Sequence, residues 1–288
     1  MTERKPEARA LAHLLGVFHN ITYYAPELKA FAEVGLAEYW RAYIAYRSAP
    51  MGMVPPSVVT STFYNFAPRV IAKAVPSAWE TISPSEAIDL RDDGVDRALR
   101  RALDAFIETP ELEEAADLAW EGIDGADVVG RPLFAAHTAC PLPSEPHRRL
   151  WHACTLWREH RGDGHNIALA AAGIDGLECH VLLGAKGVVN PAVIEKIRGW
   201  TAAEWAEAHR RLADRGLIDD DGFTPEGRAL RDAIELQTDE LASEPRNRLG
   251  ADRTGRLIEL MEPLVAHLIS SGSVAGTWPP KRGRVPRS

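Results

Sequence analysis

The chain has 288 residues, of which 45% are hydrophobic, and its formal net charge is −8. This length and composition are typical of a globular protein with a core that needs neither disulfides nor a metal. No segment approaches the roughly 18 continuous apolar residues of a membrane helix, and the first residues lack the apolar run of a signal peptide. We therefore expect a cytoplasmic protein with no membrane partner.

The negative charge is unevenly distributed. From Lys186 to the C-terminus, Lys and Arg balance Asp and Glu, so the whole excess of negative charge lies in the first 185 residues. This argues against a broad nucleic-acid surface on the N-terminal part. The three cysteines are widely spaced and form no CxxC motif, so neither a disulfide framework nor a cysteine zinc site is expected.

Helix signals dominate the N-terminal part. In LAHLLGVF, the residues Leu11, Leu14, Leu15 and Phe18 recur at the spacing of one helix face. The segments PELKAFAEVG and LAEYWRAYIAYR predict two further helices. The segment SVVTSTFYNFAPRVIAKAV predicts another that is interrupted or kinked at Pro68, because proline removes a backbone donor.

Capping patterns mark the next helices. SPSE is a capping box with proline at the first helical position, and TPE repeats the combination of a cap and a proline. They predict helices at about 84–107 and 110–121. A short helix is expected near 132–140.

The C-terminal part has the outline of a winged helix-turn-helix. The capping box TAAE begins a helix in which Trp205, Ala208 and Leu212 recur at helical spacing. The segment GLIDDDGFTPEG then supplies two short apolar stretches around an acidic turn, which indicates a small β-hairpin, followed by the cap of another helix. Helices at 225–243 and 252–270 are expected to close this domain.

Part of this region resembles a known family. WAEAHRRLADRGLIDDDGFTPEGRALRDAIELQTDELA is similar to the recognition helix, wing and following helix of MarR-type regulators. Across most of the chain, YRSAPMG, FYNFAP, LWREHRGDGH and RGWTAAEW together resemble an actinobacterial family of two-part helical proteins with a C-terminal winged helix. This second resemblance implies a fold rather than an activity.

These patterns predict a mainly α-helical protein in three parts. Residues 1–185 are expected to form a helical domain that holds a ligand or active site, and residues 186–272 a winged-helix domain. Residues 273–288 are expected to be a basic, disordered tail that contains Lys281, Arg282, Arg284 and Arg287.

The charges of the winged helix leave its use on DNA open. A winged helix that reads DNA carries Lys or Arg along its recognition helix and at its wing tip. The candidate DNA-binding residues are Arg210, Arg211 and Arg215, but the wing tip consists of three aspartates at 219–221. An ion pair between Glu207 and Arg211 on a solvated helix face explains these arginines without DNA. A protein-interaction or scaffold role fits the same charges.

The segment REHRGDGH lies between two runs that predict helices. Gly162 suits the left-handed position beyond a helix end, and Asp163 suits the N-cap of a following helix. The segment is therefore expected to be a tight connector between two helices. That interpretation gives no reason for Arg158, Glu159 or His165.

A catalytic interpretation of the same segment is also open. His160 would lie at a helix C-terminus, where the helix dipole favours imidazolium, and His165 in the next first turn, where neutral imidazole is favoured. Two histidines shifted in opposite directions suit an acid and base pair, with Asp163 orienting one ring. The spacing matches no recognised zinc motif, so no metal site is expected.

A second group of residues predicts a small-molecule pocket in the N-terminal helical domain. They combine polar heads with apolar bodies, as a mostly apolar pocket with a few fixed hydrogen-bonding groups requires. Arg158 and Glu159 either form an internal ion pair or face a ligand, and Trp151 is either core or a ligand platform. The predicted ligand-binding residues are Tyr43, Arg47, Tyr64, Asn65, Trp151, Arg158 and Glu159.

Different functions follow from these interpretations. The leading hypothesis is a ligand-responsive winged-helix protein, either a MarR-like transcriptional regulator or a small-molecule sensor. The alternative is an enzyme that modifies a small molecule or protects its own cell, with His160, Asp163 and His165 as catalytic residues and the winged helix as a scaffold. The third hypothesis is a structural module for interaction with another protein. The expected partner is a small-molecule ligand or substrate, with duplex DNA and a second copy of the chain as further candidates, and no cofactor is expected.

Overall fold

The computed structural model describes residues 4–185, 187 and 190–275. These residues are mainly helical, with a single two-stranded sheet among them. The helices are α1 (Arg4–His19), α2 (Ile21–Tyr24), α3 (Ala30–Glu33), α4 (Tyr39–Ser48), α5 (Pro56–Thr62), α6 (Pro68–Trp79), α7 (Pro84–Leu103), α8 (Pro110–Ile123), α9 (Pro132–Thr138), α10 (Pro146–Ala171), α11 (Glu178–Ala185), α12 (Pro191–Arg198), α13 (Ala202–Asp214), α14 (Pro225–Leu241), α15 (Glu244–Leu249) and α16 (Ala251–Ser270). The strands are β1 (Ile218–Asp219) and β2 (Gly222–Phe223), and 3₁₀ turns cover Pro26–Lys29, Ala49–Met51 and Asp104–Phe106.

The largest core joins the two ends of the described chain. It contains buried residues of α1, α7 and α8, the first half of α10, and α16. The apolar face predicted for the first helix, with Leu11, Leu15 and Phe18, is buried here, as are Leu257 and Leu264 of α16. The last long helix therefore packs with the first helices of the chain.

A second core lies among α4, α5 and α6. It is rich in aromatic and alanine side chains, including Phe63, Phe66 and Ala74. The helical structure is interrupted between α5 and α6, as expected from Pro68, which takes the first position of α6. Four of the five residues between these helices, 63–66, line the site described below.

The winged helix-turn-helix predicted from the sequence is present. α12 and α13 form the helix-turn-helix, and the antiparallel hairpin pairs Ile218 with Phe223 and Asp219 with Gly222. α13 buries Ala208 and Leu212 against α11 and the hairpin, because these residues share one helix face. The mainly α-helical fold class with a small C-terminal hairpin is confirmed.

The cores do not coincide with the predicted domain limits. The core of the winged helix begins before residue 186, with Ala168 and Leu169 of α10 and Val181 of α11. α16, expected in the winged-helix domain, belongs to the first core. The basic positions 281–287 of the predicted tail lie outside the described residues. None of the described helices combines the length and hydropathy that crossing a membrane requires.

The predicted connector at residues 158–165 is wrong. α10 runs without a break from Pro146 to Ala171, so the whole segment REHRGDGH is helical. Apolar residues of α10 on the N-terminal side of the segment lie in the first core, and those on the C-terminal side lie in the core of the winged helix. Burial at both ends offsets the cost of about 1 kcal/mol that each interior glycine carries. One helix thus joins the two parts of the molecule.

Candidate functional site

The polar segment of α10 borders a cavity of about 500 Å³. We call it the junction cavity because it is lined by α4, α10 and the 62–66 segment on one side and by Arg198 of α12 and two residues of α14 on the other. All the predicted ligand-binding residues except Trp151 line it: Tyr43, Arg47, Tyr64, Asn65, Arg158 and Glu159.

An ion-pair network forms one end of the junction cavity. The Nη2 of Arg47 donates to both carboxylate oxygens of Glu159, at 3.1 and 3.2 Å, and its Nη1 donates to the hydroxyl of Tyr43 at 3.0 Å. Arg158 pairs with the same carboxylate. Glu159 is buried, with 3% of its surface exposed. Arg158 and Glu159 therefore form the internal ion pair considered from the sequence and also line the cavity, and contact with a ligand stays a prediction.

Arg198 brings a third guanidinium group to this end. It is the last residue of α12 and only 6% exposed. Its Cζ lies 4.2 Å from the ring centre of Phe66 and 5.9 Å from that of Trp40. Arg47 stacks similarly on Phe63, at 4.6 Å. The faces of these aromatic rings thus contact the guanidinium groups of Arg47 and Arg198 where water would otherwise solvate them.

The ionisation of this cluster reflects its positive charge. Burial raises the pKa of Glu159, but Arg158 and Arg47 outweigh it, and the net pKa of this carboxyl is lowered. Burial by itself would raise the pKa of Tyr43. The surrounding guanidinium groups lower it more, so the net pKa lies below its ordinary value. Burial, together with the repulsion of Arg47, lowers the pKa of Arg198. The field at this end of the cavity favours negative charge.

At the other end of the cavity, the charged groups pair with one another within the protein. Arg161 binds Asp239 at 2.9 Å and lies 3.8 Å from Glu235. The Nδ1 of His165 lies 2.9 Å from the hydroxyl of Thr238. Burial lowers the pKa of His165, which keeps its imidazole neutral near pH 7. These contacts join α10 to α14.

Asp163 has a structural partner that sequence reasoning missed. Its Oδ2 accepts hydrogen bonds from the backbone N–H groups of Leu133 and Phe134, at 3.0 and 2.9 Å. It therefore caps the first turn of α9 instead of a helix that follows it in sequence. Burial raises the pKa of Asp163 to about 6 despite these bonds.

Gly164 makes room for Arg131. The Nη1 of Arg131 donates to the carbonyl of His160 and its Nη2 to that of Leu241, both at 2.6 Å. A Cβ atom at position 164 would lie 2.9 Å from Nη1 of Arg131 and 3.2 Å from Cβ of Leu241. At Gly162 the nearest atom to such a Cβ would be 3.6 Å away, so only the second glycine is sterically required.

The structure does not bring the predicted catalytic residues to one cavity. Asp163 and His165 line the junction cavity, whereas His160 lines a separate cavity of about 270 Å³ beside α1. The ring of His160 packs edge-on to Phe134, and burial lowers its pKa to about 4. Neither histidine lies at a helix end, so the dipole argument for an acid and base pair does not apply. The catalytic role stays a prediction without support from this geometry.

Trp151 lies in the first core. Its Nε1 donates to the carbonyl of His19 at 3.1 Å, and its ring stacks on His19. Sequence reasoning missed other residues of the junction cavity, among them Thr62, Phe63, Phe66, Leu133, Arg198, Glu235 and Thr238. The segment FYNFAP carries an aromatic signal for Phe63 and Phe66, but no local pattern pairs Arg198 with Arg47.

The wall of the junction cavity is fixed to the helix-turn-helix. The N–H of Ala67 donates to the carbonyl of Arg198 at 2.9 Å, and Nε1 of Trp200 donates to the carbonyl of Asn65 at 3.0 Å. Arg69 of α6 forms a two-bond pair with Glu204 of α13, at 2.7 Å each. These contacts connect the chain on both sides of the α5–α6 interruption to α12, to α13 and to the turn between them.

The candidate DNA-binding arginines are largely used within the protein. Arg210 pairs with Glu207 and Asp214 on its own helix. Arg211 binds Asp175 and Glu178, and Arg215 donates to the carbonyl of Gly173. The expected pair of Glu207 with Arg211 is wrong, because Arg211 turns to the loop before α11. Among the described residues, the wing tip presents exposed carboxylates at 219–221.

Comparison with known proteins supplies the family. Neither the curated proteins nor the solved structures include a match to this chain. A family model described as a helix-turn-helix family matches residues 8–275, nearly the whole chain. The match includes both the helical part that carries the junction cavity and the winged helix. The chain belongs to this helix-turn-helix family.

Proposed function

We propose that this protein is a ligand-responsive DNA-binding protein in which a small molecule in the junction cavity changes the position of α12 and α13. One observation carries the proposal: Arg198, the end of the first helix of the helix-turn-helix, lines the same cavity as Arg47 and Glu159. The family and the likeness of the wing region to MarR-type regulators support duplex DNA as the partner.

A ligand at this place can act on the helix-turn-helix by a short path. It would contact Arg198 itself, or the 62–66 segment whose carbonyl at Asn65 holds Trp200. Ligand binding shifts an equilibrium only when the ligand binds the two arrangements with different affinity. A side chain that moves with α12 supplies such a difference.

The charges of the winged helix set the expected DNA affinity. Arg210 is exposed but paired with two carboxylates of its own helix, and the wing tip is acidic. Phosphate contacts provide most of the salt-dependent affinity of such proteins. We therefore propose weak binding that requires low salt. Helix-turn-helix proteins often read two half-sites as dimers, and the homodimer expected here stays a prediction.

The test uses position 162, because Gly162 of α10 lines the junction cavity. Gly162→Trp imitates an occupied cavity, and Gly162→Ala is the matched control because its Cβ meets no atom closer than 3.6 Å. Fluorescence anisotropy measures the Kd for a duplex from upstream of the protein's own coding sequence and for a random duplex, at low and moderate salt.

The expected result is that the wild type and Gly162→Ala bind DNA alike, with affinity that falls as salt rises. Gly162→Trp changes the Kd by about fivefold or more. Circular dichroism establishes that the variants are folded, and Gly162→Met replaces the Trp variant if that one is not. Equal affinity of both variants overturns the coupling, and absence of binding to either duplex overturns the DNA partner.

A further inference from the structure

Another cavity, of about 600 Å³, lies beside α2, α3 and α4. We call it the tyrosine cavity, after the tyrosines that line it: Tyr23, Tyr24, Tyr39 and Tyr46. Tyr39 and Tyr46 are two helical turns apart on α4, so they share one face of that helix. Tyr43 and Arg47 lie on the neighbouring face and line the junction cavity. Among the described residues, none lines both cavities.

The tyrosine cavity is buried and apolar at one end and reaches solvent at the other. Phe31 and Leu36, each 1% exposed, lie at the buried end. The ring of Phe31 lies 5.4 Å from that of Tyr46. Ala32 and Ala37 also line the cavity and are exposed, so they form its entrance. The volume falls within the range of small-molecule sites.

The lining of the tyrosine cavity carries little charge, in contrast to that of the junction cavity. Among the described residues that line it, Lys29 alone has a charged side chain, and Lys29 is exposed. Burial raises the pKa of Tyr24 and of Tyr46, so both hydroxyl groups remain protonated and neutral near pH 7. Burying an ionised group without a partner is costly. The interior of this cavity therefore favours an uncharged occupant.

Three hydroxyl groups of the lining have no hydrogen-bond partner among the described residues. They belong to Thr22, Tyr24 and Tyr46, and the first and last of these residues are only 2% and 4% exposed. The hydroxyl of Tyr39, in contrast, donates to the carbonyl of Tyr23 at 3.3 Å. A buried hydroxyl without a partner is unfavourable, and nearly all such groups in proteins are satisfied. An oxygen atom of a ligand would supply the acceptor.

We infer that the tyrosine cavity is a ligand site separate from the junction cavity, and that it binds an uncharged aromatic molecule whose oxygen atoms accept hydrogen bonds from Tyr24 and Tyr46. The rings of Phe31 and Tyr39 pack against the aromatic body of the ligand. The inference goes beyond the proposed function, because it involves neither the junction cavity nor DNA.

Equilibrium dialysis tests the inference with three probes of similar shape. Benzophenone has two aromatic rings and a carbonyl acceptor, diphenylmethane has the same rings without the acceptor, and 4-benzoylbenzoate adds a negative charge to benzophenone. Tyr24→Phe and Tyr46→Phe each remove one hydroxyl and keep the ring. Tyr64→Phe is the matched control, because it removes a hydroxyl from a residue of the junction cavity.

Photolabelling locates the bound probe. On irradiation, the carbonyl oxygen of benzophenone takes a hydrogen atom from a neighbouring C–H group, and the carbonyl carbon then bonds to that carbon of the protein. Mass spectrometry of the digested protein identifies the labelled peptide. The expected label lies within residues 21–46, which include every residue that lines the tyrosine cavity.

The expected result is that the wild type binds benzophenone about tenfold more tightly than diphenylmethane or 4-benzoylbenzoate. Tyr24→Phe and Tyr46→Phe each weaken the binding of benzophenone about threefold to tenfold, whereas Tyr64→Phe does not change it. Without a probe, neither Tyr24→Phe nor Tyr46→Phe lowers the unfolding midpoint, because these hydroxyls have no partner among the described residues. A loss of affinity without a loss of stability separates ligand binding from a structural role.

Three results overturn the inference. The first is no binding of benzophenone by the wild type up to the solubility limit of the probe. The second is equal binding by the wild type and by both Tyr24→Phe and Tyr46→Phe. The third is a label confined to peptides outside residues 21–46. Tighter binding of 4-benzoylbenzoate than of benzophenone would show that the preferred ligand is an anion, which also contradicts the inference.

Discussion

The guanidinium of Arg47 binds the carboxylate of Glu159 across 112 residues of sequence, with Nη2 at 3.1 and 3.2 Å from the two oxygens. Arg47 lies in the last turn of α4 and Glu159 in the middle of α10. Both side chains are largely buried. The ion pair thus lies between α4 of the second core and α10, the helix that reaches the winged helix. Both of its residues line the junction cavity.

The two glycines of REHRGDGH are expected to respond oppositely to alanine. Gly162→Ala raises the free energy of unfolding by about 0.5–1 kcal/mol, because alanine is the better helix former and its Cβ meets nothing closer than 3.6 Å. Gly164→Ala lowers it by about 1–3 kcal/mol, because its Cβ meets Arg131 and Leu241. Urea denaturation measures both. Destabilisation by Gly162→Ala would contradict the continuous helix.

The contribution of Asp163 to the free energy of unfolding is expected to fall as the pH rises. Its pKa of about 6 in the folded chain lies above the ordinary value of about 3.9, so the folded state binds the proton more tightly. The stability it contributes is complete below about pH 4 and is lost as the pH rises to about 6, with an upper limit of about 3 kcal/mol. Relative to Asp163→Asn, the wild type should therefore become more stable as the pH falls from 7 to 4.

The capping role of Asp163 is tested separately by two neutral variants. At pH 7.5, Asp163→Ala should be less stable than Asp163→Asn by about 1–2 kcal/mol, because asparagine keeps an oxygen for the N–H groups of Leu133 and Phe134. Chemical denaturation of both variants gives the difference. Equal stability would mean that these two hydrogen bonds contribute nothing.

Neighbouring arginines of α13 are expected to differ in their effect on stability. Arg211→Ala removes two hydrogen bonds to Asp175 and Glu178, and the buried Glu178 carboxylate loses a partner, which costs about 1–3 kcal/mol. Arg210→Ala removes only exposed pairs within one helix and should leave the unfolding midpoint unchanged. Denaturation midpoints check this contrast, and similar losses in both variants would contradict it.

Local patterns in the sequence predicted most helices and the wing correctly. The capping boxes at Ser83 and Thr201 form as expected, and so do the caps at Thr109 and Thr224, because each needs only residues within one turn. The periodic apolar residues of α1 and α13 are buried for the same reason. These features depend on neighbours in sequence.

The segment 158–165 was misinterpreted because its partners are distant in sequence. Gly164 faces Arg131, Asp163 caps the helix that begins at Pro132, and His165 binds Thr238. Glycine and aspartate at such spacing favour a helix end when only local preferences are considered. Long-range contacts outweigh that preference here.

The candidate site was recognised by residue type rather than by arrangement. Tyrosines, Arg47 and the charged residues of α10 indicated a pocket, and most of them line one cavity. Arg198 was not recognised because an arginine at the end of a helix ordinarily lies in solvent near the negative end of the dipole. Its burial depends on Phe66 and Trp40, which no spacing rule connects to it.

Hydrogen–deuterium exchange of Gly162→Trp, compared with that of Gly162→Ala, tests most directly whether the junction cavity and the helix-turn-helix are coupled. The method reports local opening of each segment. The expected result is slower exchange of the Trp variant in peptides that cover 62–67 and, together with them, in α12 and α13. Slower exchange limited to the cavity walls, with α12 and α13 unchanged, would contradict the coupling.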